Sequence, residues 1–130
     1  MLKRELVQTV EIPGSQARMS LFKQGVEFSI WVDGVPLMTS RKHGSEEALA
    51  ALGCAHLANH PDGRILVGGL GMGFTLSEAL RIVDDEAKVK VAELVPAVRD
   101  WNRDSLGGFA NHPLKAPRAE VEPAPVAALP

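Results

Sequence analysis

The residues of this 130-residue chain best suited to chemistry are three glycines spaced by two and an acid twenty positions after the last of them. Ile65-Leu66-Val67 is a short apolar run of the kind that forms a buried parallel strand, and it feeds directly into Gly68-Gly69-Leu70-Gly71-Met72-Gly73 and then a helical pattern. Glycines at such a strand-to-helix turn let backbone N–H groups approach a ligand closely at a helix N-terminus. Glu93 closes a second apolar run, Val89-Lys90-Val91-Ala92, where a carboxylate can accept hydrogen bonds from both hydroxyls of a ribose. The spacing Gly69-x-Gly71-x-Gly73 is that of S-adenosyl-type nucleoside sites, in which the loop packs against the ligand's amino-acid portion and sugar. A dinucleotide fingerprint needs its third glycine one residue later, where this chain has Phe74. The alternative for the glycines is a tight turn with no ligand, and for Glu93 a solvated residue at a strand end. The apolar neighbours Ala92, Leu94 and Val95 favour an acid that faces a cleft at the sheet edge.

The remaining reactive side chains form weaker sets. His56 and His60 have the four-residue spacing of a shared metal site on a helix, but no carboxylate or cysteine at ligand spacing joins them, so no metal is expected. Packing explains His56, and a favourable charge near a helix C-terminus explains His60. Cys54, the single cysteine, lies among Ala51, Leu52, Gly53 and Ala55 and reads as a small buried hydrophobe. A lone cysteine with no partner fits a reducing, cytoplasmic compartment. Asp84-Asp85-Glu86 reads as a solvated loop, and Trp101, one helical turn after Val98, as a packing residue rather than a platform for a base. With 14 Lys and Arg against 16 Asp and Glu, a formal charge of −2 and no basic cluster, the chain lacks the electrostatic footprint of nucleic-acid binding. No apolar run approaches the roughly 18 residues of a membrane span, and the N-terminus lacks the apolar core of a signal peptide. Neither a membrane nor export is expected.

Positioning the loop and the acid requires particular elements. From Leu6 to Thr39 the hydrophobic period is two, clearest in Val26, Phe28, Ile30 and Val32, which predicts a β meander turning at Pro13-Gly14, Gln24-Gly25 and Asp33-Gly34. Around Ser45 the period becomes helical, with Leu49, Leu52, Gly53, His56 and Leu57 on one face, Glu46 and Glu47 in the first turn, and Pro61 as the stop. Strand Arg64–Gly68, helix Phe74–Val83 (buried face Leu76, Ala79, Leu80, Val83), strand Lys88–Glu93 and helix Pro96–Arg103 then make a β-α-β-α series, which predicts a parallel sheet with right-handed crossovers. After Leu106, Pro113, Pro117, Pro123, Pro125 and Pro130 predict an irregular tail with one short strand at Ala119–Glu122. The fold class is α/β: an antiparallel β subdomain over residues 1–42, then a Rossmann-like nucleoside-binding domain over 43–130, apparently incomplete, with a proline-rich tail from about 113. So few strands leave apolar area uncovered, which predicts a homodimer through the meander or the open sheet edge.

The run Ile65-Leu66-Val67-Gly68-Gly69-Leu70-Gly71-Met72-Gly73, followed by Val91-Ala92-Glu93-Leu94-Val95-Pro96-Ala97-Val98, resembles the spermidine synthase-like (polyamine aminopropyltransferase) branch of the class I S-adenosylmethionine-dependent methyltransferase fold. Phe28-Ser29-Ile30-Trp31-Val32-Asp33-Gly34, Leu37-Met38-Thr39-Ser40 and His43-Gly44-Ser45-Glu46-Glu47 look like that family's N-terminal β domain leading into its first helix, and the resemblance covers about residues 17–122. It implies that Gly68, Gly69, Gly71 and Gly73 line the nucleoside and that Glu93 binds its ribose. It also matches His43 and Glu46 or Glu47 to the segment that approaches the aminopropyl end of decarboxylated S-adenosylmethionine. For His43 the alternative is an exposed loop histidine beside Arg41 and Lys42. The implied activity is aminopropyl transfer to a polyamine, an in-line displacement at a carbon next to a sulfonium in which a carboxylate takes the amine's proton.

The chain departs from the family at the chemical groups. The family's aspartate within the glycine loop is replaced by Gly71, and the acid that reads adenine after the third strand is replaced by Ala124-Pro125-Val126-Ala127. The general-base aspartate after the fourth strand falls beyond the last residue of this sequence, and the tyrosines that hold a polyamine are absent, the chain having none. Catalytic residues are therefore unassigned. The expectation is a protein that binds decarboxylated S-adenosylmethionine, S-adenosylmethionine or methylthioadenosine, and that transfers an aminopropyl group if active. The alternatives are an inactive, truncated relative acting as a binding or oligomerisation module, and a methyltransferase or NAD-type enzyme of similar topology.

Overall fold

The two periodicities fold as two units, residues 1–43 and 44–130. They are seen in a computed structural model that describes residues 2–124. In the first unit the alternating pattern forms four strands, β1 (Glu5–Glu11), β2 (Arg18–Gln24), β3 (Glu27–Val32) and β4 (Val35–Thr39), paired in order as an antiparallel meander. Asp33 and Gly34 turn β3 into β4 with φ of +48° and +80°, the backbone that a two-residue primed hairpin turn requires. The Asp33 carboxylate also accepts the Arg18 N–H at 2.9 Å, tying that turn to β2. Leu21, Phe28 and Ile30 are buried, whereas Val26, in the same alternating series, stands exposed at the β2–β3 turn. The Arg4 guanidinium lies 4.4 Å from the ring centres of both Phe22 and Trp31.

The second unit runs α1 (Gly44–Cys54), β5 (Arg64–Gly68), α2 (Phe74–Ile82), β6 (Lys88–Ala92), α3 (Pro96–Arg103) and β7 (Ala119–Glu122). Its three strands are parallel in the order β5-β6-β7, with Gly68 registered against Ala92 and Val89 against Ala119. In β6, Lys88-Val89-Lys90-Val91 buries its two valines to 1% and 0% exposure and turns both lysines outward. One face of the sheet is therefore packed and the other polar, where Lys90 Nζ meets Glu122 Oε1 at 3.5 Å. A parallel sheet covered on both faces would show near-continuous apolar strands instead. Leu76, Ala79, Val98 and Leu106 complete the core.

Three local expectations need correction. Helix α1 does not bury the leucines: Leu49 and Leu52 are 65% and 85% exposed, while Ala50 and Cys54 are the buried pair. Two small side chains four residues apart let α1 approach its neighbours closely, which turns the larger side chains of the adjacent stripe outward. His56 falls in a 3-10 turn, Ala55–Leu57, and is exposed rather than packed. The segment after Leu106 carries two 3-10 turns, Gly107–Ala110 and Pro113–Lys115, with Leu106, Ala110 and Pro113 buried. Prolines stop α-helix but accept the first position of such turns. The short strand Ala119–Glu122 forms as expected, and Arg118 just before it donates to the carbonyls of Leu80 and Asp84 at 2.9 Å each, satisfying groups at the end of α2. Cys54 is buried, which pushes its thiol above the ordinary range. Pro125, Val126, Ala127 and Pro130 lie outside the described residues.

Candidate functional site

The glycine loop is built by alternation. Gly69, Gly71 and Gly73 adopt φ of +96°, +53° and +87°, and between them Leu70 and Met72 turn inward to 3% and 2% exposure. The glycines supply the left-handed backbone and the two apolar side chains anchor it in the core. Gly69 N–H donates to Ala92 at the end of β6 (2.8 Å), and Gly73 N–H donates back to Leu70 (2.9 Å), closing the turn immediately before α2. At Gly73 a β-carbon would lie 3.0 Å from both Asn102 Oδ1 and Pro113 Cγ, so space as well as φ requires glycine there. At Gly69 only φ does. The carbonyls of Leu70 and Gly73 accept from Gly73 and Ser77, whereas the amides of Gly71 and Met72 have no hydrogen-bond partner among the described residues.

The pairing of Gly68 with Ala92 brings the residue after β6 beside this loop. Glu93 is half-buried there, its Oε1 accepting the Leu70 N–H at 2.9 Å and its Oε2 the Val95 N–H at 3.0 Å. Each carboxylate oxygen has a second lone pair, so a ribose hydroxyl can still be accepted at either. The acid is thus positioned at the loop and is also part of what holds the loop in place. Nothing in its sequence neighbourhood signals that second role.

Asn102, on α3, was not anticipated. It is 1% exposed, and its Nδ2 donates to Gly71 O at 2.7 Å and to Val98 O at 2.8 Å, bridging the loop to its own helix. Its Oδ1 is buried without a partner among the described residues. The only sequence signal is a polar residue four positions after Val98 on a helix whose inner face also carries Trp101, a pattern that does not separate a buried amide from a surface one.

Of the remaining candidates, Glu46 is brought near the loop through its backbone. Its carbonyl accepts the Thr75 hydroxyl at 3.3 Å, joining the first turn of α1 to the first turn of α2, while its carboxylate accepts the Ser45 hydroxyl at 3.1 Å. Glu47 is half-buried in that same turn, and His43 is half-buried in the first unit. A cavity of about 570 Å³, lined by Arg64, Leu66, Lys88, Lys90 and Glu120 among others, lies on the polar face over the first halves of the strands, away from the loop and Glu93. Among the described residues no cluster of three or more His, Cys, Asp or Glu could hold a metal, and no helix is long and apolar enough to cross a membrane.

By sequence, no family model and no curated protein matches the chain. By structure it is similar to a spermidine synthase in complex with the transition-state analogue AdoDATO, at a TM-score of 0.70 and 22% identity over 95% of this chain. It is similar also to the spermidine synthase from Thermotoga maritima, at a TM-score of 0.68 and 22% identity over 92% of this chain. The chain spans 42% and 41% of the lengths of these two proteins. At such identities the likeness is one of fold: the chain has the fold of the N-terminal portion of spermidine synthases, an antiparallel sheet followed by a methyltransferase-like parallel sheet with helices.

Proposed function

We propose that this chain binds an adenosyl nucleoside at the Gly68–Gly73 loop and Glu93, as a spermidine synthase-like protein. The observation that carries the reading is the juxtaposition of unpartnered Gly71 and Met72 amides with a carboxylate that still has lone pairs to offer. The transition-state analogue held by a spermidine synthase of the same fold supports an adenosyl compound as the ligand class. Glu93 holds the ribose, Gly69, Gly71 and Gly73 let the backbone approach the sugar and tail, and Glu46 and Glu47 are the candidates for contact with the far end of the tail. The candidate ligands are decarboxylated S-adenosylmethionine, S-adenosylmethionine and methylthioadenosine. Aminopropyl transfer to a polyamine is the reaction of a complete site of this kind.

A second reading, binding without turnover, is favoured by one observation. Residues 68–73 contain no acid, and the acid whose carboxylate reaches them, Glu93, already accepts hydrogen bonds from Leu70 and Val95. The exposed Leu49, Leu52 and Leu66, together with the edge strand β5, support a homodimer, and the single buried thiol supports a cytoplasmic setting. The test is calorimetric titration with methylthioadenosine. Saturable binding that weakens by about tenfold to a hundredfold in Glu93→Ala supports the nucleoside site, and no binding overturns it. Turnover of decarboxylated S-adenosylmethionine with putrescine then separates transfer from binding alone, and a methyl-transfer assay addresses the methyltransferase alternative.

A further inference from the structure

The two edges of the parallel sheet differ in what they admit. Pro117 stands just before β7 and Pro123 directly after it, and the strand itself carries Glu120 and Glu122, features that keep an edge from pairing further. β5 contains no proline, and among the described residues no strand pairs with its outer edge. Gly63 O accepts the Lys88 N–H at 3.0 Å and Gly69 N–H donates to Ala92 O at 2.8 Å, so the odd-numbered residues of this strand turn their peptide groups toward β6. The N–H and C=O groups of Arg64, Leu66 and Gly68 therefore face outward. Leu66 lies at the centre of that set, and its side chain is 44% exposed.

We infer that β5 pairs antiparallel with β5 of a second copy, with Leu66 on the two-fold axis, so that two copies form one six-stranded sheet. This rests on the homodimer reading above and names its contact. The outward groups are symmetric about Leu66, and this register satisfies all of them: Leu66 exchanges two hydrogen bonds with Leu66 of the second copy, and Arg64 exchanges two with Gly68. Moving the axis to Ile65 or Val67 leaves Gly68 or Arg64 without an opposite residue in the strand. Charge agrees with the same register. Arg64 stands beside Lys88, and their row continues through Gly68 and Ala92 of the second copy to its Glu122, so the cations of one copy run toward the acid of the other rather than toward each other. On the packed face, Ile65 comes beside Val67 of the second copy, at a cavity of about 230 Å³ that Leu49, Gly53 and Cys54 of α1 line together with β5. The two exposed Leu66 side chains cover one another on the polar face.

The test joins sedimentation velocity of the full chain to cross-linking with a short bis-maleimide. Leu66→Cys should cross-link to itself, its two Cα atoms lying roughly 5.5 Å apart across the axis. Glu120→Cys, in the same cross-strand row but two strands further in on each copy, should not, because four interstrand steps add roughly 19 Å. The parent, whose one thiol is the buried Cys54, supplies the blank. Leu66→Pro removes an outward N–H and leaves the ladder to β6 whole, and it should weaken self-association by about tenfold or more. If that variant does not fold, Leu66→Lys sets two cations against each other on the axis and should do the same. A parent that sediments as a monomer throughout the micromolar range would overturn the homodimer and this contact with it. A dimer that persists unweakened in Leu66→Pro or Leu66→Lys, or that fails to cross-link at Leu66→Cys, would overturn the contact and leave the homodimer standing on another surface.

Discussion

Removing the Glu93 carboxylate should loosen the fold before any ligand is added. Its two oxygens accept the Leu70 and Val95 amides at 2.9 and 3.0 Å, so Glu93→Ala leaves two backbone donors without their acceptor. A hydrogen bond to a charged group contributes about 1.5–3 kcal/mol when desolvated. Glu93 is half-buried, so water reaches part of the gap, and a loss of about 2 kcal/mol for the pair is expected. Against the roughly 5–10 kcal/mol of a small domain this lowers the unfolding midpoint by about 5–10 °C. Glu93→Gln retains one acceptor oxygen but turns an NH₂ toward the other backbone donor, so it should recover only about half of the loss. Urea unfolding followed through the fluorescence of Trp101, which is buried in the same unit, gives the stability, and amide hydrogen exchange gives the site. Leu70 and Val95 amides should exchange faster in Glu93→Ala than in the parent. Unchanged exchange at both, with a stability change under about 0.5 kcal/mol, would refute the clamp. A destabilised variant that still bound methylthioadenosine with parental affinity would assign Glu93 to the fold alone.

Gly73→Ala should cost about 2–4 kcal/mol, because a left-handed alanine costs about 1–2 kcal/mol and its Cβ would also press on Asn102 Oδ1 and Pro113 Cγ. Gly69→Ala meets open space at a comparable φ and should cost only about 1–2 kcal/mol, so equal urea midpoints for the two variants would contradict the packing described at Gly73. Leu52→Glu should leave stability within about 0.5 kcal/mol, given 85% exposure, and should weaken self-association at least tenfold in sedimentation velocity. A parent chain that sediments as a monomer throughout the micromolar range would remove the dimer.

The elements themselves were legible because each rests on a local signal. Asp33-Gly34 sets its own turn through two positive φ values, the alternation through Phe28 and Ile30 sets the face of β3, and the apolar run before Gly68 sets β5. The glycine spacing was also legible, but half of its cause was not: Leu70 and Met72 alternate with the glycines as inward anchors, and apolar residues inside a glycine loop do not advertise their direction. Asn102 was invisible because its role depends on α3 lying beside Gly71, a contact between residues thirty-one apart. Helix α1 was misread because size was taken for burial. Ala50 and Cys54 are buried because they are small enough for a close helix approach, and a periodicity count gives the larger leucines the greater weight.

Strand β6 constrains what can cover this half-sheet. In register, Arg64 stands beside Lys88, and Leu66 beside Lys90 beside Glu120, so the polar face presents three cations around one exposed leucine. A helix layer of the kind that covers the second face of a doubly wound sheet brings apolar side chains, and burying Lys88 or Lys90 beneath them without partners would cost several kcal/mol per charge. Lys90 already has a partner within the sheet in Glu122. Whatever covers this face must bring carboxylates for Arg64 and Lys88, or leave them in water. The free edge of β5 carries no such condition, since backbone groups there pair with any strand that reaches them. The edge is therefore where association of this unit is easiest, and the polar face is where it is most selective.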